Sequence, residues 1–192
     1  MFSKLSGNIT EQLIENGTIK PEDKDIYSYG VEQSFVILMN LVTTLVIGLC
    51  FGMIWQSIIY MIIYLPLRSF AGGYHAGTVL RCYIFGIILT IADLSINKLI
   101  PATDLVISIM TLLAGIIIFI LAPVETANKP LDHTELSVYR KRTRIILLSD
   151  ICIITILLAF DLNSIALCMG VALMVLSFMV VLGKMNQDAV TS

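Results

Sequence analysis

His75 and Cys82 are the pair in this chain whose residue types could carry out nucleophilic chemistry together. A cysteine attacks as its thiolate, and the free thiol titrates near pH 8.5, so at neutral pH it needs a base or a positive field. A histidine can take that proton and later return it to a leaving group. On one continuous helix the two residues would share a face but stand about 10.5 Å apart along the axis, too far for a hydrogen bond. They meet only if His75 lies on a loop folded back over the helix that carries Cys82. Gly72, Gly73 and Gly77 break the regularity of the backbone around His75. Thr78 suits the cap of a helix running on into an apolar segment. Cys82 then falls in the first turn or just beyond, where the helix dipole favours a thiolate. Arg68 and Arg81 add positive charge in the same stretch.

Spacing alone also allows a blander reading, an interfacial histidine beside a cysteine that packs in a membrane. Cys50, Cys152 and Cys168 fall inside apolar runs and read as small packing residues. No CxxC pair, zinc spacing or HExxH motif occurs, so the sequence calls for no metal and no cofactor. His133 reads as a solvated loop histidine. Asp93 stands in an apolar run, where an acid is expensive. It lies about 16 Å along the helix from Cys82, so a buried polar contact, with Asn40 as a candidate partner, suits it better than a direct catalytic role.

The elements that must position the pair are membrane helices. Of the 192 residues 57% are hydrophobic and only 14% charged, whereas a soluble domain carries about 25% charged residues. The net charge of −2 gives no basic field for nucleic acid. Residues 1–32 hold no signal-peptide pattern. Phe2, Leu5, Ile9 and Leu13 repeat at spacings of three and four there, which predicts an amphipathic helix at a membrane surface. The run 34–67 is about twice the length of one span. It divides near Gly48, Gly52 and Trp55 into arms at 35–53 and 54–67, the second ended by Pro66 and Arg68 and short for a full crossing. Further apolar runs cover 82–96, 105–122, 145–160 and 165–182, with a long polar loop at 123–144. The expected fold is all-α, a polytopic transmembrane bundle of about six spans behind an amphipathic N-terminal helix. Its parts are an N-terminal segment (1–32), a membrane-embedded domain (33–183) and a short tail (184–192). Small residues in the last span, Ser164, Ala166, Gly170, Ala172 and Ser177, favour close helix packing.

Alternating six spans from a cytoplasmic N-terminus puts eleven Lys and Arg inside, counted from Lys4, Lys20, Lys24, Arg68, Arg81, Lys129, Arg140, Lys141, Arg142, Arg144 and Lys184, and only Lys98 outside. Positive charge gathers on the cytoplasmic side of membrane proteins, so both termini, His75 and Cys82 are expected there.

The string Arg68-Ser-Phe-Ala-Gly-Gly-Tyr-His75-Ala, with Cys82 seven residues after the histidine, resembles the signature of the accessory gene regulator B (AgrB) family. These are membrane cysteine endopeptidases of Gram-positive quorum sensing. Length, span number and the amphipathic N-terminal segment fit as well, so the resemblance covers almost the whole chain. It implies a multi-pass, homodimeric enzyme of the bacterial cell membrane that cuts a small precursor signal peptide (AgrD-like). Cys82 would form a thioester with the N-terminal product, and His75 would act as base and then acid. A cysteine or serine of the peptide would next close a thiolactone or lactone. Arg68 and Gly73 match motif positions, which assigns Arg68 to positioning substrate or loop, and Gly72 and Gly73 to the backbone turn. The basic run Arg140, Lys141, Arg142 and Arg144 would attract an acidic precursor tail; an anionic-lipid contact is the competing reading. Two other classes stay open. A small peptide exporter needs a polar path through the membrane, for which Asn40, Gln56 and Asp93 are thin support. A non-catalytic scaffold would not depend on His75 or Cys82 beyond folding.

Overall fold

The computed structural model describes residues 2–74, 78–124 and 132–191. Contacts divide the chain into two units, Met1–Thr44 and Leu45–Ser192. In the first, α1 (Phe2–Glu15) is followed by a short 3-10 turn (Pro21–Asp23) and α2 (Lys24–Phe51). Ser6 and Thr10 are fully buried, and the Ser6 hydroxyl lies 3.4 Å from that of Ser28. Lys24 and Glu11 pair at 2.9 Å, but both are exposed, so the ion pair contributes little.

The second unit holds the end of α2 and five further helices: α3 (Ile54–Ala71), α4 (Val79–Leu99), α5 (Asp104–Leu121), α6 (His133–Ala159) and α7 (Asn163–Thr191). The expected split of 34–67 is found at Gly52, whose φ of +66° turns the chain where a side chain would be strained. Gly48 lets α2 approach α3 closely, since a Cβ there would run into the Ser57 side chain. Pro66, expected to end the second arm, lies inside α3 instead. It removes one helical hydrogen bond, yet the helix continues to Ala71. The arm thereby gains the length of a full span.

Among the described residues five helices are long and apolar enough to cross a membrane: 21–51, 54–71, 80–99, 104–121 and 163–187. The sixth expected span, 145–160, is the apolar part of α6 and is too short to qualify by composition alone. Chain direction settles its role. Asn163 at the start of α7 donates to Asp104 at the start of α5 at 2.8 Å, so these two helices begin at the same end. α6 must carry the chain back to that end, so it crosses whenever its neighbours do. The expected loop at 123–144 is largely replaced by the N-terminal half of α6, which makes the basic run helical. Residues 184–191 continue α7 as helix.

Helix α7 is the hub. Buried residues make up 72% of its most apolar stretch against 17–28% for the other four spans, and it packs on α3, α4, α5 and α6. A helix apolar all round belongs in such a place. Ala166, Gly170, Ala172 and Ser177 are buried along it, as close packing within the chain requires, whereas Ser164 is exposed.

Candidate functional site

One end of the Leu45–Ser192 bundle carries an irregular strand. After Ala71 the chain leaves α3 through Gly72 (φ +69°) and Gly73 (φ +122°). Both angles lie in the region that favours glycine. Each glycine is also required by space. A Cβ on Gly72 would collide with the Val124 carbonyl; one on Gly73 would strike the Arg68 guanidinium and sit 2.9 Å from the Met179 carbonyl oxygen.

The strand is held from three sides. Arg68, on the last turn of α3, donates from its two terminal nitrogens to the carbonyls of Gly72 and Tyr74. A planar guanidinium can bridge two acceptors in this way, which an ammonium cannot do as rigidly. The Tyr74 amide donates to the Met179 carbonyl of α7 at 2.9 Å, and the Val124 amide to the Ala71 carbonyl at 2.9 Å. Gly72 and Val124 form an isolated parallel bridge. Gly183 of α7 completes the slot, because a Cβ there would stand 2.6 Å from the Tyr74 nitrogen. Arg68, Gly72 and Gly73, picked out in the sequence, are therefore one structural unit.

His75 lies outside the described residues. The chain is fixed on both sides of it. Tyr74 lays its ring against Phe85 of α4 with centroids 5.5 Å apart. Thr78 caps α4 as expected, its hydroxyl accepting from the Arg81 amide at 3.3 Å. Cys82 is the fourth residue of α4; its amide donates to the Thr78 carbonyl at 3.0 Å, and its side chain is half-buried. Cys82 and Phe85 are neighbours on one helix face, three positions apart. The ring next to residue 75 thus rests one turn along the helix from the thiol.

The basic run splits between two faces of α6. The Arg142 guanidinium stacks 5.2 Å from the Phe70 ring centroid, and Tyr139 meets the same ring edge-on at 5.7 Å. Phe70 lies in the last turn of α3, so Arg142 stands at the end of the bundle from which the strand leaves. Arg144 instead lies 4.3 Å over Phe119 of α5. Arg140 and Lys141 are exposed. Asp93 is fully buried, and its carboxylate accepts from the Asn97 amide nitrogen at 3.2 Å. The polar contact expected for it is made one turn along its own helix. The Asn40 side chain donates to the Val36 carbonyl of α2 at 3.0 Å.

Sequence reasoning missed Tyr64, Val124, Met179 and Gly183. Tyr64 stands one turn before Arg68 and lies within electrostatic reach of both Arg68 and Cys82. Its spacing from Arg68 was a usable signal. Val124 and Met179 act through backbone atoms, which leave no mark on residue type.

Residues 6–181 match the family model described as Accessory gene regulator B. Two Clostridium perfringens proteins carrying provisional AgrB-like names are similar to the chain. That of strain SM101 is 29% identical over 139 residues, covering 68% of this chain and 64% of that protein. That of strain 13, called AgrB-like protein 2, is 29% identical over 146 residues with the same coverage. The chain thus spans about 64% of the length of each of these relatives. No solved structure matches it.

Proposed function

The chain belongs to the accessory gene regulator B family, and from that premise we propose that it is a multi-pass membrane cysteine endopeptidase that processes a quorum-sensing precursor peptide. The observation that carries this reading is the strand Gly72–Tyr74. It is tied by Arg68 and Met179, and its Tyr74 ring packs on Phe85, one turn along α4 from Cys82. α3 ends at Ala71 and α4 begins only at Val79, so no single described helix carries both positions, and the separation of about 10.5 Å on one continuous helix does not apply.

In this mechanism His75 takes the proton of Cys82, whose sulfur attacks the scissile carbonyl. The tetrahedral intermediate collapses, the peptide bond breaks, and His75 returns the proton to the leaving amine. The N-terminal product remains as a thioester on Cys82. A cysteine thiol or serine hydroxyl of that product attacks the same carbonyl and closes a thiolactone or lactone, and Cys82 leaves as a thiol. Water competes for the thioester, so a site that limits water favours the ring. Arg68, Gly72 and Gly73 position the strand and the substrate. Of the basic run, Arg142 is the residue that would meet an acidic precursor tail.

The peptidase domain of this reading covers 33–183. Arg68, Arg81, the Arg140–Arg144 run and Lys184 gather at the Cys82 end of the bundle, which supports a cytoplasmic site and cytoplasmic termini in a bacterial cell membrane. The working partners are the precursor peptide, the bilayer and a second copy of the chain.

The test is purified protein in liposomes with a precursor peptide, product masses followed over time, and hydroxylamine added to trap the thioester. Wild type is expected to give a truncated or cyclised product and a trappable adduct on Cys82. Cys82→Ala and His75→Ala are expected to lose at least about 10³-fold in cleavage. Cleavage that survives in Cys82→Ala would refute the mechanism.

A further inference from the structure

A second feature of the bundle lies away from the strand. Between α5 and α6 runs a groove of about 470 Å³, lined along α5 from Ser108 to Ile120 and along α6 from Leu147 to Leu158. Its walls are apolar apart from the hydroxyl-bearing Ser108, Thr111 and Thr155. Leu112, Ile116, Ile120 and Leu148 on its rim are about half or more exposed, so the groove opens outward. In a chain that spans a bilayer this surface meets lipid.

Shape narrows the choice of occupant. Ser108 to Ile120 spans about 18 Å at the helical rise, a little over the roughly 15 Å of one leaflet's hydrocarbon. A volume of about 470 Å³ along that length suits one extended hydrocarbon chain lying between the two helices.

Charge narrows it further. Arg144 stands one turn before Leu147 and lies over Phe119 at the mouth of the groove. Arg142 and Arg144 are about 200° apart around α6, which is why one packs on Phe70 of α3 and the other on Phe119 at the groove. Arg140 and Lys141, one turn back from Arg144, share its face. Among the described residues no carboxylate pairs with any of the three. A hydrocarbon slot of one-leaflet length under an unneutralised cation at the polar boundary matches a two-part ligand.

We propose that the α5–α6 groove is a binding site for an anionic phospholipid, one acyl chain lying along Ile116 and Ile151 and the phosphate held by Arg144 with Arg140 and Lys141. The site is separate from the peptide site, and the basic run is divided between them: Arg142 serves the strand, Arg144 the lipid.

The test uses the full chain reconstituted in vesicles of phosphatidylcholine with phosphatidylglycerol, then released for native mass spectrometry to count retained lipids. Wild type is expected to keep phosphatidylglycerol over phosphatidylcholine. Arg144→Gln should weaken that retention about five-fold, the worth of one basic residue at a charged surface. Thr155→Phe, which fills the slot from an exposed position, should weaken it at least tenfold. Arg142→Gln should retain the lipid as wild type does. Circular dichroism establishes that each variant is folded. Equal retention of the two lipids, or retention untouched by Thr155→Phe, would overturn the proposal. A disulfide-linked dimer formed through Ile116→Cys would overturn it too, by assigning the groove to a second copy.

Discussion

The two ends of the Leu45–Ser192 bundle reverse the chain in different ways. At the end bearing Gly52, Pro101 and Asp161 the reversals are short and conventional. Gly52 and Asp161 each take a positive φ within a tight turn, and a side-chain bond from Asn163 to Asp104 ties α7 to α5. At the other end the chain leaves α3 in an extended strand with two glycines at positive φ, held by an arginine fork, a helix carbonyl and a bridge to Val124. Irregular backbone near a membrane core must have its N–H and C=O groups matched by the protein. A bundle that only had to span would have no use for that arrangement. The contrast locates the conformational demand of the fold at the end that carries Cys82.

The sharpest way to break the contrast is to push the strand off α7. Gly183→Ala places a methyl group 2.6 Å from the Tyr74 nitrogen and 2.5 Å from the Gly73 carbonyl carbon. Neither neighbour is a flexible side chain, so the strand must move and its bond to Met179 must lengthen. A shift of about 1 Å in a positioning element costs about 10²-fold in rate. Precursor cleavage in liposomes should fall by that factor, with the helical content of the protein retained. Unchanged cleavage would mean that the strand's seat on α7 has no bearing on the site.

Arg68→Lys comes next. Lysine keeps the charge but replaces a planar fork with a point donor, so it cannot hold the Gly72 and Tyr74 carbonyls with the same geometry. One of the two bonds is lost or weakened. A charge-assisted hydrogen bond contributes roughly 1.5–3 kcal/mol, which corresponds to about ten- to a hundred-fold in cleavage if the strand must be ordered for the reaction. Arg68→Lys activity equal to wild type would reduce Arg68 to a charged anchor at a helix end.

Residue type made some of this architecture legible and left the rest hidden. Thr78 announced the start of α4, and Gly48, Gly52 and Trp55 marked the α2–α3 reversal, because caps and tight turns select particular residues. Pro66 misled, since a helix among other helices tolerates a proline that would end it in water. The basic half of α6 read as loop because its length of polar sequence outweighed its helical spacing. Arg68, Gly72 and Gly73 stood out together, but what holds them did not. The partners on α7 and after α5 are a carbonyl of Met179, a missing side chain at Gly183 and the backbone of Val124, and backbone atoms are the same in every residue.

Thr78→Val tests the other flank of the pair with a smaller expected effect. Valine keeps the β-branched shape and the extended backbone but removes the hydroxyl that accepts from the Arg81 amide. The cost of losing such a cap is about 1 kcal/mol, and the first turn of α4 frays more often. Cys82 stays bonded through its own amide to the carbonyl of residue 78, so cleavage should fall only several-fold.

The matching change at the opposite end is Asn163→Ala. It deletes the bond to Asp104, but that bond is exposed to its surroundings, and a hydrogen bond of this kind contributes at most about 1 kcal/mol net. The turn between α6 and α7 keeps its backbone bonds from Phe160, Asp161 and Leu162 to Ile156, Leu157 and Leu158. Thermal stability should drop slightly, and cleavage should stay within about two-fold of wild type, since changes far from shared partners act independently. A loss as large as that of Gly183→Ala would mean that the two ends are coupled through α7, the one helix that packs on all its neighbours, and that the hub transmits strain along its whole length.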